Sequence, residues 1–151
     1  MTSVLQKPVL AAEDEESDAM ILQLAFKRAG LVTPLVIVRD GQEAVDYLTG
    51  QGGYADRTAH PLPALLLLDL KMPRMTGIEV LIWLNERPEF NGLPAVVLSS
   101  SPDQSDISRA RAAGADEYFV KPHGLGQMVG IIEILRDRWL SPGAQMADPQ
   151  A

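Results

Sequence analysis

Residues 64 to 73 read Ala64-Leu65-Leu66-Leu67-Leu68-Asp69-Leu70-Lys71-Met72-Pro73. Five apolar residues in succession break on a carboxylate. A run without polar alternation is the signature of a strand buried on both faces, as in a parallel sheet covered by helices. The same form recurs along the chain. Pro94 to Leu98 (PAVVL) precedes Ser99, Pro8 to Ala12 (PVLAA) ends on Glu13 and Asp14, Leu35 to Val38 ends on Arg39 and Asp40, and Glu117 to Val120 ends on Lys121. Each predicted strand therefore delivers a polar group at its carboxyl end.

The intervening segments have helical spacing. Ser17 and Asp18 are N-cap candidates for a run carrying Ile21, Leu22, Ala25, Phe26 and Ala29, with Gly30 placed to end it. Asp40 precedes a short run with Ala44, Val45 and Leu48, closed by Gly50. Thr76 can cap a helix holding Val80, Leu81 and Leu84, stopped by Pro88. Asp103 or Ser105 can cap one that ends at Gly114, and the last helix spans about Gly124 to Trp139 and is closed by Pro142. Five strands alternating with five helices predict an α/β fold: a parallel sheet with helices on both faces, because crossovers are right-handed. Pattern alone does not order the strands. Two irregular pieces remain, a loop from Gly50 to Pro63 and a Pro/Gly-rich polar tail, 141–151, expected to be disordered.

Composition narrows the function classes. With 151 residues and 46% apolar content, one domain with a real core is expected, spanning 7–140. A net charge of -7 argues against a nucleic-acid or anionic-membrane surface, since both need a cationic patch. With no cysteine, disulfide scaffolds, thiolate metal sites and cysteine nucleophiles are excluded. No basic start with an apolar stretch opens the chain, and no apolar run approaches the roughly 20 residues of a membrane helix, so a cytoplasmic protein is expected.

In open parallel sheets ligands bind outside the carboxyl ends of the strands. Glu13, Asp14, Asp69, Ser99 and Lys121 should converge there. Packed carboxylates repel one another, and a hard divalent cation with oxygen ligands relieves that repulsion, which makes Mg²⁺ the expected occupant. The ion and Lys121 could neutralise a phosphoryl group arriving at a carboxylate, and Ser99 could donate a hydrogen bond to it.

These residues resemble the receiver domains of two-component response regulators. The resemblance covers about Lys7 to Leu140 and rests on four motifs in order: Glu13-Asp14, Asp69-Leu70-Lys71-Met72-Pro73 with Gly77, Ser99-Ser100, and Lys121-Pro122. It implies a flavodoxin-like, doubly wound five-stranded sheet of order 2-1-3-4-5. It also implies roles. Asp69 would accept a phosphoryl group from a histidine kinase or phosphotransfer protein. Glu13, Asp14 and Asp69, with the backbone carbonyl of Lys71, would ligate Mg²⁺. Ser99 would turn towards the phosphoryl group, Lys121 would pair with it, and Tyr118 would be the switch aromatic. Lys71 and Ser101 would flank the phosphoryl position, and the Lys121–Pro122 bond would be cis. Glu13 and Ser99 depart from the commoner aspartate and threonine, which points to looser switching.

Within the family, the loop from Gly50 to Pro63, the Leu98-Ser-Ser-Ser101 run and the Arg138-Trp-Leu140 ending are similar to small single-domain regulators paired with phytochrome-type histidine kinases. A stand-alone regulator acting through a downstream partner protein is the implied function. Two other readings compete. Mg²⁺-dependent phosphohydrolases of the haloacid-dehalogenase type share a strand-end aspartate nucleophile, but need an acid two residues on, where this chain has Lys71. A pseudo-receiver would have lost an acid, the acceptor aspartate or the lysine, and all are retained. His60 and His123 stand outside the motif pattern and read as loop or cap residues.

Self-association is expected through the last helix. Leu125, Met128, Ile132, Leu135 and Trp139 form one stripe, with Val129, Ile131 and Ile134 outside it. Together they cover roughly 220° of the helix circumference, about twice what a surface helix buries. A homodimer would cover the excess, as receiver dimers commonly do with this face.

Overall fold

The computed structural model describes residues 7–140. Five parallel strands, β1 (Val9–Ala12), β2 (Leu35–Val38), β3 (Leu65–Leu68), β4 (Ala95–Ser99) and β5 (Glu117–Val120), lie in the order β2-β1-β3-β4-β5. The helices are α1 (Glu16–Arg28), α2 (Gly41–Thr49), α3 (Gly77–Asn85), α4 (Gln104–Ala112) and α5 (Leu125–Leu135). This is the doubly wound order expected.

Side-chain alternation along the strands divides the core in two. Leu10, Ala12, Leu66, Leu68, Ala95 and Val97 face α2, α3 and α4, whose Leu48, Val80, Leu81 and Ala110 cover them. Val9, Ala11, Leu65, Leu67, Val96 and Leu98 face α1 and α5, meeting Leu22, Phe26, Met128 and Ile132. A strand whose alternate residues enter two different cores has no polar position to spare, which explains the unbroken apolar runs.

Local chemistry sets the helix ends. The Asp40 side chain accepts from the Glu43 N–H at 2.8 Å, and Thr76 and Glu79 form a reciprocal capping box. Gly30, Gly50 and Gly114 take positive φ beyond α1, α2 and α4. Four expectations need correction. Helix α1 starts at Glu16 with Glu15 as its N-cap, because Glu13 Oε2 accepts from the Glu15 N–H and begins the turn early; neither Ser17 nor Asp18 caps it. Helix α5 ends at Leu135 and continues as a π-helical turn, Arg136–Leu140, rather than running as one α-helix to Trp139. No peptide bond among the described residues is cis, so Lys121–Pro122 is trans; the four-carbon stem of Lys121 reaches its partners without the cis geometry. Val129 and Ile131, placed outside the buried stripe of α5, pack partly against the core, leaving Ile134 as the exposed residue at 40%. The tail, 141–151, and the closing Pro142 lie outside the described residues.

The segment from Gly50 to Pro63 is built rather than loose. After a 3-10 turn at Gly52–Tyr54, Arg57 donates to the carbonyls of Tyr47, Leu48, Tyr54 and His60, while its guanidinium lies 5.8 Å from the centre of the Tyr47 ring. Two of those carbonyls belong to the last turn of α2; that of Tyr47 also accepts from the Gly50 N–H, while that of Leu48 finds its partner in Arg57.

Two glycines let α2 and α3 approach the turn that follows the central strand β3. A Cβ at Gly77 would lie 2.3 Å from the Asp69 carbonyl oxygen, and one at Gly41 would lie 2.1 Å from that of Met75. Both obstacles are backbone, which cannot swing aside. Gly77→Ala is therefore expected to destabilise the protein by about 1–3 kcal/mol, the usual cost of overpacking, and to displace the backbone that carries Asp69. Urea unfolding of the variant checks the first effect. Amide shifts of residues 69–71 check the second.

Candidate functional site

The register of the sheet determines which polar residues meet. Ala12 pairs with Leu68, so Glu13 and Asp69 leave the sheet side by side at the β1/β3 switch point. The Asp69 N–H donates to the Ala12 carbonyl at 3.2 Å, and the Glu13 N–H to that of Val38 at 2.9 Å. Ser99 pairs with Val120, and the Lys121 N–H donates to the Ser99 carbonyl at 2.8 Å. Strand register alone thus brings Glu13, Asp69, Ser99 and Lys121 to one pole.

Carboxylate oxygens of Glu13, Asp14 and Asp69 lie within 4.8 Å of one another. Glu13 and Asp69 are buried, whereas Asp14 is exposed and opens the trio to water. Hard oxygen donors at this spacing suit a small divalent cation that keeps several waters. Lys121 Nζ donates to Glu13 Oε1 at 2.7 Å, to Asp69 Oδ2 at 2.9 Å and to Asp18 Oδ2 at 2.9 Å. All three ammonium protons are used.

The two charge shifts in this crevice have a common origin. Burial pushes the Glu13 carboxyl up to about 7, against the pull of Lys121 and with the Asp69 charge adding to the rise. Burial would depress Lys121, but its hydrogen bonds to Asp18, Glu13 and Asp69 outweigh this and hold the ammonium above its ordinary range. One cation shared among several carboxylates stays charged, and the most buried acid tends to keep a proton.

On the β4 side, Ser99 is 1% exposed and its Oγ accepts from the Ser101 N–H at 3.2 Å. Ser101 Oγ in turn donates to Asp106 Oδ2 at 2.5 Å, and Tyr118 donates its phenolic proton to the Ser101 carbonyl at 2.7 Å. Lys71 is exposed beside Asp69; its N–H approaches Asp69 Oδ1 at 3.4 Å, and it lines a cleft of about 440 Å³ together with Asp14 and Arg109. His123 is exposed, and His60 packs edge-on against Tyr54 at 5.2 Å, so neither histidine joins the acids.

Sequence reasoning missed Asp18 and Asp106. Asp18 read as a helix cap, yet an acid in the first turn of the helix following a strand-end acid pair faces the same crevice. Asp106 had no such signal.

Comparison with known proteins agrees with this geometry. The family model "Response regulator receiver domain" matches residues 9–133. The chain is 36% identical to response regulator RPA3017, in red light signaling of R. palustris, with a TM-score of 0.85 over 89% of this chain and 94% of that one. It is 34% identical to the phosphorylated cyanobacterial phytochrome response regulator RcpA, with a TM-score of 0.81 over 91% and 96% of the two chains. It is also 33% identical over 140 residues, 89% of this chain and 87% of the relative, to the probable methanogenesis regulatory protein FilR2 of Methanothrix harundinacea.

The raised Glu13 carboxyl gives a signed pH dependence. Between its ordinary value of 4.5 and about 7, metal-free folded protein keeps a proton that the unfolded chain loses. Stability should therefore fall as pH rises through that window and level off above it. Lys121 adds no slope there, because its stabilisation is lost only as pH rises from its ordinary value of 10.5 towards its raised one. Urea unfolding at pH 5 and pH 8 in EDTA should show a smaller loss for Glu13→Gln than for wild type. Equal losses would place the titration elsewhere.

Proposed function

The chain belongs to the response regulator receiver family, and from that premise we propose that Asp69 accepts a phosphoryl group from a histidine kinase of the phytochrome-associated kind. The observation that carries this reading is the convergence of Glu13, Asp14 and Asp69 with the Lys121 ammonium at the carboxyl pole of the sheet. Similarity to a phytochrome response regulator and to a regulator in red light signaling supports the kinase class. Among the described residues no helix is long and apolar enough to cross a membrane. A cytoplasmic site of action fits the reading.

In the proposed step an Asp69 carboxylate oxygen attacks the phosphorus of a phosphohistidine. The O–P bond forms as the P–N bond breaks, and the imidazole leaves with the electron pair and takes up a proton. Glu13, Asp14 and Asp69, with the Lys71 backbone carbonyl, would hold Mg²⁺, which supplies charge neutralisation for the nucleophile and the arriving phosphoryl oxygens. Lys121 stays within reach of Asp69 and donates to the new phosphoryl group. Ser99, whose hydroxyl now accepts from Ser101, turns to donate to it as well. That turn removes an acceptor from the Ser101 N–H, and through the Ser101 carbonyl the change reaches Tyr118. Lys71 and Ser101 flank the phosphoryl group and set its access to water. The receiver's own surface then carries the signal to a downstream protein. The phosphohydrolase alternative lacks its second acid, because the residue two beyond Asp69 is Lys71.

Mg²⁺ with a small phosphodonor should label wild-type protein, and EDTA or Asp69→Asn should abolish the label. Full labelling of Asp69→Asn would overturn the assignment. Repeated turnover of external phosphoesters would favour an enzyme.

We propose further that α5 mediates a homodimer, supported by Ile134 at 40% exposure beyond the buried stripe of Met128, Ile132 and Leu135. Sedimentation at tens of micromolar should show a wild-type dimer and an Ile134→Glu monomer. A monomeric wild type, with and without phosphorylation, would refute self-association.

A further inference from the structure

Lys121 has no spare proton and its side chain is 9% exposed, so its charge depends on protein partners. Two of its three acceptors, Glu13 and Asp69, belong to the carboxylate trio. An ion taking up the trio therefore places a second positive charge beside the same two carboxylates and repels Lys121 from them. An ammonium left buried without partners is strongly unfavourable. The third acceptor, Asp18, is outside the trio, reaches solvent with 36% of its side chain exposed, and comes from a different element, the first turn of α1. Helix capping makes no demand on it, since Glu15 is the N-cap.

We propose that Asp18 is a positioning residue for divalent-ion binding: by holding the Lys121 ammonium, it lets Glu13 and Asp69 turn from lysine to metal without stranding a buried charge. The proposal rests on reading Glu13, Asp14 and Asp69 as ion ligands. It adds that the site works by exchange, with Lys121 passing from three carboxylates to Asp18 as the ion binds and remaining beside Asp69 for the phosphoryl group that follows.

A double-mutant cycle tests the exchange. Amide shifts are followed during titration with MgCl₂ alone, at constant ionic strength, for wild type, Asp18→Asn, Lys121→Met and the double variant. Asp18→Asn should weaken Mg²⁺ about tenfold when Lys121 is present, the scale of one charge-assisted hydrogen bond, and less than about twofold in the Lys121→Met background. Equal weakening in both backgrounds would mean that Asp18 attracts the ion through space, and would overturn the proposal. Unchanged or tighter binding in Asp18→Asn would overturn it too. Failure of wild type to bind Mg²⁺ would instead refute the underlying reading of the trio. Thermal unfolding of each variant in EDTA confirms that the comparison is made on folded protein, and Lys121→Gln replaces Lys121→Met if the latter does not fold.

Discussion

One ammonium group holds the crevice together. Lys121 leaves the end of β5 and pairs with an acid at the end of β1, another at the end of β3 and a third in the first turn of α1. The sheet order explains why a lysine is needed. Strand β4 lies between β3 and β5, so the cation must cross two strand spacings, roughly 10 Å, to reach Asp69. A shorter side chain would leave Glu13 and Asp69 buried beside each other with no counter-charge. The acids can be packed only because the lysine reaches them, and Glu13 still leans towards its protonated form. A trans peptide before Pro122 is compatible with all three contacts, since the flexible stem provides the reach.

Much of this was legible in the chain itself, for identifiable reasons. Strands buried on both faces announce themselves as unbroken apolar runs, and Leu65 to Leu68 and Ala95 to Leu98 have no polar residue to confuse the reading. The polar residue following each run marks the functional pole, so Glu13, Asp69, Ser99 and Lys121 could be named before any coordinates. The order of the strands could not, because periodicity records burial and not adjacency; it came from family resemblance. Asp18 was misread because its residue type suits an N-cap, and what moved the cap to Glu15 is a hydrogen bond from the Glu15 N–H to the side chain of Glu13. The segment after α2 looked like loop by its glycines and polar residues. What organises it is Arg57, whose partners are backbone carbonyls that leave no trace in side-chain composition.

On α5 the apolar count alone overstated the free surface. Val129 and Ile131 find cover on the core formed by α1 and the sheet, and Trp139 donates its indole N–H to Glu117 Oε1 at 2.8 Å. The π-helical turn after Leu135 carries Trp139 to that partner and also brings Arg138 to Glu117. A residue's angular position on an ideal helix is a good guide to its face only while the helix stays ideal.

The turn after Asp69 has a mechanical consequence. Arg74 takes φ of 65°, a left-handed conformation that a non-glycine residue adopts at a cost, while the Met75 N–H folds back on the Pro73 carbonyl at 2.7 Å. Its guanidinium forks onto Asp40, the cap of α2, and the Gly41 N–H donates to the Met75 carbonyl. The β3–α3 turn and the head of α2 are thereby riveted into one body. Across the crevice, the β4–α4 turn is held by side-chain hydrogen bonds centred on Ser101, each of which can be traded for another partner. The crevice is thus built like a vise, with one jaw riveted and the other fastened by exchangeable contacts. On the reading proposed for Asp69, a change there would be braced on the α2 side and taken up on the α4 and β5 side.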